Sequence, residues 1–311
     1  MPALTRRTLL TSAAAAATLP FLPLPSARAQ EGAPLLRRPI PSTGEEIAAV
    51  GMGTWITFNV GSNEALRAER MEVLRTFFRL GGGMVDSSPM YGSSEDVVGW
   101  CLDRLPPEET AGLFSATKVW TQFPGEEGPE QMAASRRLWG VPRFDLMQVH
   151  NLVDWETHLP TLIADKAAER VRYIGITTSH GARHEAMERL METQPLDFVQ
   201  LTYNILDREA EDRLLPLAQD RGLAVIANRP YRQKQLIRMV EGRPLPPFAA
   251  EIGARTWAQV FLKFVVSHPA ITCAIPATTR VDHMRENMEV LRGPLPDADM
   301  RRRMIAHMQS L

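Results

Sequence analysis

The chain has 311 residues, of which 44% are hydrophobic and 23% charged, with a formal net charge of −1. That is enough apolar material for one large domain or two small ones, and so balanced a charge offers no field for nucleic acid or an anionic membrane surface. Its two cysteines, Cys101 and Cys273, are too few for a disulfide framework, and no Cys/His spacing resembles a structural zinc site; both read as small buried hydrophobes.

The first 29 residues read as separate from the fold. Thr5-Arg6-Arg7-Thr8-Leu9-Leu10 is a twin-arginine start, and Ala27-Arg28-Ala29 offers a small-residue cleavage site before Gln30. The apolar run between them, residues 9–24, is too short and too broken by proline to be a stable membrane span. The segment resembles a bacterial Tat export signal, an ordinary Sec signal that carries two arginines being the alternative. The expectation is a mature protein that begins near Gln30, is handed to the Tat machinery and is delivered to the periplasm or beyond.

Residues 35–46 carry two prolines and the turn signal Ser42-Thr43-Gly44, which predicts a short hairpin before the main body. A buried strand over 47–55 breaks into glycine. Residues 64–80 form a helix with Leu66, Met71, Val73, Leu74, Phe77 and Phe78 as its apolar stripe, and Gly81-Gly82-Gly83 stops it. The second strand begins at Val85, and a helix over 94–105 follows with Ser94 as its N-cap. Strand and helix then alternate. The remaining strands fall at 113–119, 144–150, 171–177, 198–203, 224–228 and 272–275. The remaining helices fall at 129–139, 155–169, 182–192, 209–221, 256–267 and 281–291, and residues 229–247 read as a long functional loop with one or two helical turns.

The strands lack period-2 alternation, so both faces are buried, as in a parallel sheet. Eight such units over about 250 residues predict a closed (β/α)8 TIM barrel, an α/β fold, rather than an open doubly wound sheet. No GxGxxG follows a strand, which argues against a dinucleotide-binding domain of that open type.

In such a barrel, chemistry gathers at the C-terminal ends of the strands. Those ends carry Asp86 after the second strand, Lys118 after the third and His150 after the fourth, with Tyr91 in the loop above Asp86. Taken singly, Asp86 reads equally as a turn acid, Tyr91 as loop packing, Lys118 as a structural ion pair and His150 as a satisfied core histidine. Together they make a coherent acid/base set. A lysine beside a carboxylate stays charged, and its ammonium, aimed at a phenol, lowers that phenol's pKa. Such a tyrosine donates a proton to a carbonyl oxygen as hydride reaches carbon, and takes it back in reverse.

With these residues in place, the mature chain resembles the aldo-keto reductases along essentially its whole length. The family's Asp, Tyr, Lys, His tetrad matches Asp86 and Tyr91 in Val85-Asp86-Ser87-Ser88-Pro89-Met90-Tyr91-Gly92, Lys118 in Thr117-Lys118-Val119, and His150 in Gln148-Val149-His150-Asn151. Gly53-Thr54-Trp55 is similar to the family's motif at the end of the first strand, which lines the cofactor and substrate site. The resemblance implies NADP(H), with NAD(H) as the other choice, bound extended across the barrel mouth. It implies Gln200 on the nicotinamide carboxamide, Thr278 and Arg280 on phosphate groups, and Glu286 and Asn287 on adenine. Three departures bear on that cofactor. Thr177-Thr178 replace the usual Ser-Asn, Asn228-Arg229-Pro230-Tyr231 replaces the usual segment after the seventh strand, and Ala277 stands where glycine is common.

The resemblance thus implies an NADP(H)-dependent oxidoreductase, a monomer, interconverting a small aldehyde or ketone and an alcohol. A folded chain that traps its cofactor before export suits the Tat route. The alternative is an exported module that keeps its cofactor for binding or sensing, with little turnover. A metal-dependent hydrolase using Asp86 and His150 lacks the paired acidic or histidine ligands it needs, so no metal is expected. Trp55 and Trp120, with Trp155, form either an aromatic-walled substrate pocket or barrel packing.

Overall fold

The computed structural model describes residues 34–121 and 127–311; the signal-like segment over 1–29 lies outside the described residues, as does part of the loop after the third barrel strand. The chain opens with an antiparallel hairpin of β1 (Arg37–Pro39) and β2 (Glu46–Ala48), with Arg37 opposite Ala48. Eight parallel strands follow in sequence order: β3 (Met52–Gly53), β4 (Met84–Asp86), β5 (Phe114–Val119), β6 (Phe144–Val149), β7 (Val171–Thr177), β8 (Phe198–Thr202), β9 (Ala224–Asn228) and β10 (Cys273–Ala274). A parallel bridge between Val50 and Ala274 ties the last strand to the segment before the first, with Gly51 N–H donating to Ala274 O at 2.8 Å. This is the (β/α)8 TIM barrel the sequence predicts.

The helices are α1 (Glu64–Arg79), α2 (Ser94–Arg104), α3 (Pro107–Thr110), α4 (Gly128–Trp139), α5 (Trp155–Ala167) and α6 (His184–Thr193). They continue with α7 (Leu214–Asp220), α8 (Gln235–Met239), α9 (Phe248–Glu251), α10 (Trp257–Val266), α11 (Val281–Glu289) and α12 (Ala298–Gln309).

Four elements differ from the sequence reading. The strand expected over 47–55 is two: Ile47 and Ala48 complete the hairpin, and Met52-Gly53 enter the barrel. Between them Gly51 passes so close to β4 that a Cβ there would sit 2.9 Å from Met84 O. Ser94 is the first residue of α2 rather than its cap; its Oγ turns to Thr54 O at 3.3 Å, and Ser93 takes the cap position. The helix expected over 209–221 breaks into a 3-10 turn, Glu209–Glu211, and α7. Pro216 explains the break, since a residue without an N–H fits a helix's first turn but not its interior. The last helix, α12, was not expected. Its buried face is a single file of Met300, Met304 and Met308 at i, i+4 spacing, and Asp297 caps it by accepting Met300 N–H at 2.8 Å.

Two cores lie on either side of the strands. The outer one packs strands against helices. The inner one fills the barrel with Met84, Phe114, Ala116, Leu146, Phe198 and Ile226, among others, and takes Ile40 and Ile47 from the hairpin. The hairpin therefore closes the N-terminal end of the barrel. Tyr173 ties it down, donating its OH to Glu45 Oε2 at 2.7 Å and lying 2.8 Å from Thr43 Oγ1.

Side chains alternate along a strand, so inward-facing residues are two apart. Following the inner core upward in steps of two reaches Asp86 from Met84, Lys118 from Ala116, Gln148 from Leu146, Gln200 from Phe198 and Asn228 from Ile226. The inward face is apolar below and polar at the mouth. Site and core are thus one column of side chains, divided by height.

Outside the barrel, Glu95 of α2 is a buried carboxyl that joins three elements. It accepts from Thr117 Oγ1 (2.6 Å) on β5, and from Ser135 Oγ (2.8 Å) and Trp139 Nε1 (3.2 Å) on α4. Burial raises its pKa above the ordinary carboxylate range, against the pull of these donors and of Lys118. Glu95→Ala strands three buried donors, so a loss of about 3 kcal/mol is expected in urea unfolding, from roughly 1–3 kcal/mol per unsatisfied group with partial relaxation. Glu95→Gln, which keeps an acceptor, should lose clearly less.

Candidate active site

Asp86 ends β4 and is the hub of the barrel mouth. Its Oδ1 accepts from Lys118 Nζ at 2.6 Å, and its Oδ2 accepts from Gln148 Nε2 at 3.1 Å and Gln200 Nε2 at 3.0 Å. Lys118 is fully buried and donates a second time, to Ser87 O at 2.8 Å. Burial alone would push this lysine down; the charge and hydrogen bond of Asp86, helped by Tyr91, outweigh it and hold Lys118 above the ordinary lysine range.

Tyr91 is delivered by a tight 3-10 turn, Pro89–Tyr91. Pro89 sets its entry, Tyr91 N–H donates to Ser88 O at 2.9 Å, and Gly92 leaves it at φ 61° and ψ −121°. A Cβ at Gly92 would lie 2.5 Å from Asn59 Oδ1, so this exit requires glycine. The Lys118 ammonium lies over the Tyr91 ring, its Nζ 5.1 Å from the ring centroid. The sequence reading expects Lys118 to lower this phenol's pKa, and the structure corrects it. Burial raises it, Lys118 pulls it back, Asp86 adds to the rise, and the result lies above the ordinary tyrosine range. Tyr91 therefore carries its proton throughout the neutral range.

His150 sits just past β6 with its ring edge-on to Tyr91, centroids 5.7 Å apart and planes at 84°. Its Nδ1 is 2.9 Å from Ser88 Oγ. Burial, and then Lys118, lower its pKa to about 2, so the ring is neutral in the folded protein. An unfolded chain protonates it near 6.5, so from there down to about 2 the unfolded state holds the extra proton and stability falls with falling pH. The full slope for one group is about 1.4 kcal/mol per pH unit. His150→Gln should flatten the acid limb of the stability–pH curve by about that amount, as measured by urea unfolding between pH 6 and 4.

Gly53 and Thr54 adjoin this cluster. A Cβ at Gly53 would come 3.0 Å from Ile275 O, and Thr54 Oγ1 lies 2.8 Å from Ser87 Oγ and 3.0 Å from Asp86 O. Trp55 is half-exposed at the mouth, whereas the backbone of Trp120 is clamped on both sides by the Gln131 amide. Trp155 packs against the outer core.

The residues expected to hold the cofactor's far end do not converge on this cluster. Thr278 is buried and accepts Arg280 N–H at 3.1 Å. Arg280 is exposed at the start of α11 and ion-paired with Asp282 through Nε at 2.9 Å. It borders a groove of about 530 Å³ lined also by Glu69, Glu72, Thr279 and Arg285. Asn287 is buried with its Oδ1 accepting Tyr231 OH at 2.5 Å, and Glu286 lies beside it on α11. The departures are also internally engaged. Thr177 Oγ1 accepts Asn151 N–H at 2.9 Å, Thr178 O accepts Asn228 Nδ2 at 2.8 Å, and Arg229 hydrogen-bonds the His180 ring.

Two residues of the cluster escape a reading of strand ends alone, Gln148 and Ser88. The signal for Gln148 was its place two residues before His150 on one strand face. For Ser88 it was a hydroxyl directly before the proline turn.

A family model described as the aldo/keto reductase family matches residues 49–305, the barrel and the whole cluster. The chain belongs to the aldo/keto reductase family. It is an oxidoreductase of that family. Among relatives, the NADH-specific methylglyoxal reductase of Escherichia coli K12 is 24% identical, over 84% of this chain and 95% of its own. A thermostable aldo-keto reductase solved with the inhibitor epalrestat is 25% identical, with a TM-score of 0.72 over 88% of this chain and 99% of that one. An aldo-keto reductase from Klebsiella pneumoniae, solved with NADP and acetate, shares the fold at a TM-score of 0.70 and 22% identity over 85% of this chain and 92% of that one.

Proposed function

We propose that this aldo-keto reductase interconverts a small aldehyde or ketone and the corresponding alcohol, with Tyr91 as the general acid and base. The observation that carries this reading is Tyr91 set edge-on to His150 and beside a fully buried Lys118, whose Nζ lies 5.1 Å from the Tyr91 ring centroid and is itself paired to Asp86 at 2.6 Å. The residues at the mouth fit a nicotinamide dinucleotide. Gln200 offers an amide there, Thr278 a hydroxyl just before α11, and Arg229 a buried Nε with no hydrogen-bond partner among the described residues. Gly53, Thr54, Arg280, Glu286 and Asn287 complete the proposed set. When bound, the nicotinamide supplies the hydride to the carbonyl carbon. Tyr91 gives its proton to the carbonyl oxygen, and the Lys118 charge stabilises the phenolate left behind until solvent reprotonates it. Asp86 fixes Lys118, and Gln148 and Gln200 fix Asp86. His150, neutral, orients the carbonyl.

The name of the Escherichia coli relative suggests methylglyoxal and related small dicarbonyls as first probes. Titration of the purified protein with NADPH and NADH, followed by tryptophan quenching and then by turnover with these probes, tests the reading. Tight cofactor binding with multiple turnovers is the expected result; a folded, ligand-free protein that binds neither cofactor contradicts it. Asp282 is ion-paired with Arg280 and competes with a 2′-phosphate for it, an exposed and solvent-screened contest, so only a weak preference for NADPH over NADH is expected. Asp282→Asn should strengthen NADPH binding and leave NADH binding unchanged in the same titration.

Residues 1–29 act as a Tat signal and the mature chain functions as a periplasmic or exported monomer. Mass spectrometry of the exported protein should find Gln30 as the first residue.

A further inference from the structure

We propose that Ser88 is a positioning residue that fixes His150 as the tautomer protonated on Nε2, so that the ring offers a donor to the carbonyl oxygen rather than a lone pair. The catalytic consequence rests on the reductase reading above; the tautomer itself does not.

Ser88 is fully buried, and its Oγ has two neighbours, Met90 N at 3.2 Å and His150 Nδ1 at 2.9 Å. A backbone N–H only donates, so Oγ accepts from Met90. The hydroxyl's single proton then has one acceptor in reach among the described residues, His150 Nδ1. If the ring carried its proton on Nδ1 instead, Oγ would face two donors and its own proton would be buried without a partner, the costlier arrangement. With Nδ1 as acceptor, the neutral ring keeps its proton on Nε2, to which no described residue hydrogen-bonds. The second ring nitrogen's partner commonly sets the working one in this way. Since burial and Lys118 keep the ring uncharged, its tautomer alone decides whether it donates.

Ser88 also caps the turn that carries Tyr91, through the same Oγ. One hydroxyl therefore registers the proton donor and the orienting ring against each other. Ser88→Ala removes the acceptor for Met90 N–H and the donor to Nδ1 together.

The test is a long-range 1H–15N spectrum of the histidine-labelled protein without cofactor, with the His150 signals identified by their loss in His150→Gln. The expected result is a protonated Nε2 and an unprotonated Nδ1; a protonated Nδ1 overturns the proposal. Ser88→Ala should shift the His150 signals toward a mixture of tautomers and lower kcat about tenfold, less than the roughly 10²–10⁴-fold of losing a general acid outright, with cofactor binding unchanged. Ser88→Thr, which keeps the hydroxyl, should restore both the spectrum and most of kcat. A Ser88→Ala spectrum identical to wild type overturns the proposal whatever the kinetics show. If Ser88→Ala does not fold, the wild-type and Ser88→Thr spectra still decide.

Discussion

Tyr91→Phe is expected to lower kcat by about 10²–10⁴-fold, the usual contribution of a positioned general acid. Phenylalanine keeps the ring, its edge contact with His150 at 5.7 Å and its place over Lys118 at 5.1 Å. It lacks only the hydroxyl and its proton. Thermal stability and NADPH binding should therefore change little while steady-state turnover collapses. The wild-type pH profile carries a second signature. Burial holds the Tyr91 phenol above the ordinary tyrosine range, so reduction should lose rate only on the alkaline side, as the phenol ionises. Wild-type turnover in Tyr91→Phe, or a rate that falls near neutral pH, would contradict the role given to this residue.

Asp86→Asn should be the most damaging single change to the fold at the mouth. It leaves the fully buried Lys118 facing a neutral amide and one carbonyl, Ser87 O. Removing one partner of a buried pair costs about 3–5 kcal/mol, because the remaining charge is uncompensated. The pH dependence follows from the signs. In the wild type, Lys118 is raised above its unfolded pKa, so its pairing contributes fully at neutral pH and is lost only as pH rises through that raised value. In Asp86→Asn burial prevails and the lysine tends to lose its proton. The stability gap to wild type should then be largest near neutral pH and narrow above about pH 10, the unfolded lysine range. Urea unfolding at pH 7 and pH 10.5 measures it. Adding Lys118→Met should recover stability without recovering turnover. A gap independent of pH would show that the pair is not carrying the charge assigned to it.

The barrel was legible because its strands are apolar runs that end abruptly in Asp86, Lys118 and His150, and because helices of recognisable period separate them. The hairpin was legible as a turn, but not its reach. Ile47 and Ala48 look like any buried strand, and only the pairing with β1 shows that they belong to the hairpin, with Ile47 plugging the barrel rather than building it. The polar inner column was half legible. Asp86 and Lys118 stand out as charges; Gln148 does not, since an amide inside an apolar run carries no hint of its partner across the barrel. The direction of the Tyr91 pKa was misjudged for a related reason. Sequence names the neighbouring lysine, whereas the opposing effect of burial depends on packing from several distant segments. Helix α12 was missed because one file of methionines among arginines gives too narrow a stripe.

Reduction at this site requires hydride and proton to meet at one carbonyl beside Tyr91. The measurement that tests this is single-turnover reduction of a panel of aliphatic, aromatic and dicarbonyl aldehydes by the enzyme loaded with NADPH or NADH deuterated at C4, with product analysed by mass spectrometry. The prediction is deuterium on the carbinol carbon from one face of the cofactor only, formed by the wild type and nearly absent with Tyr91→Phe. Bound cofactor that transfers no label to any member of the panel, or transfer that is indifferent to Tyr91→Phe, would contradict it.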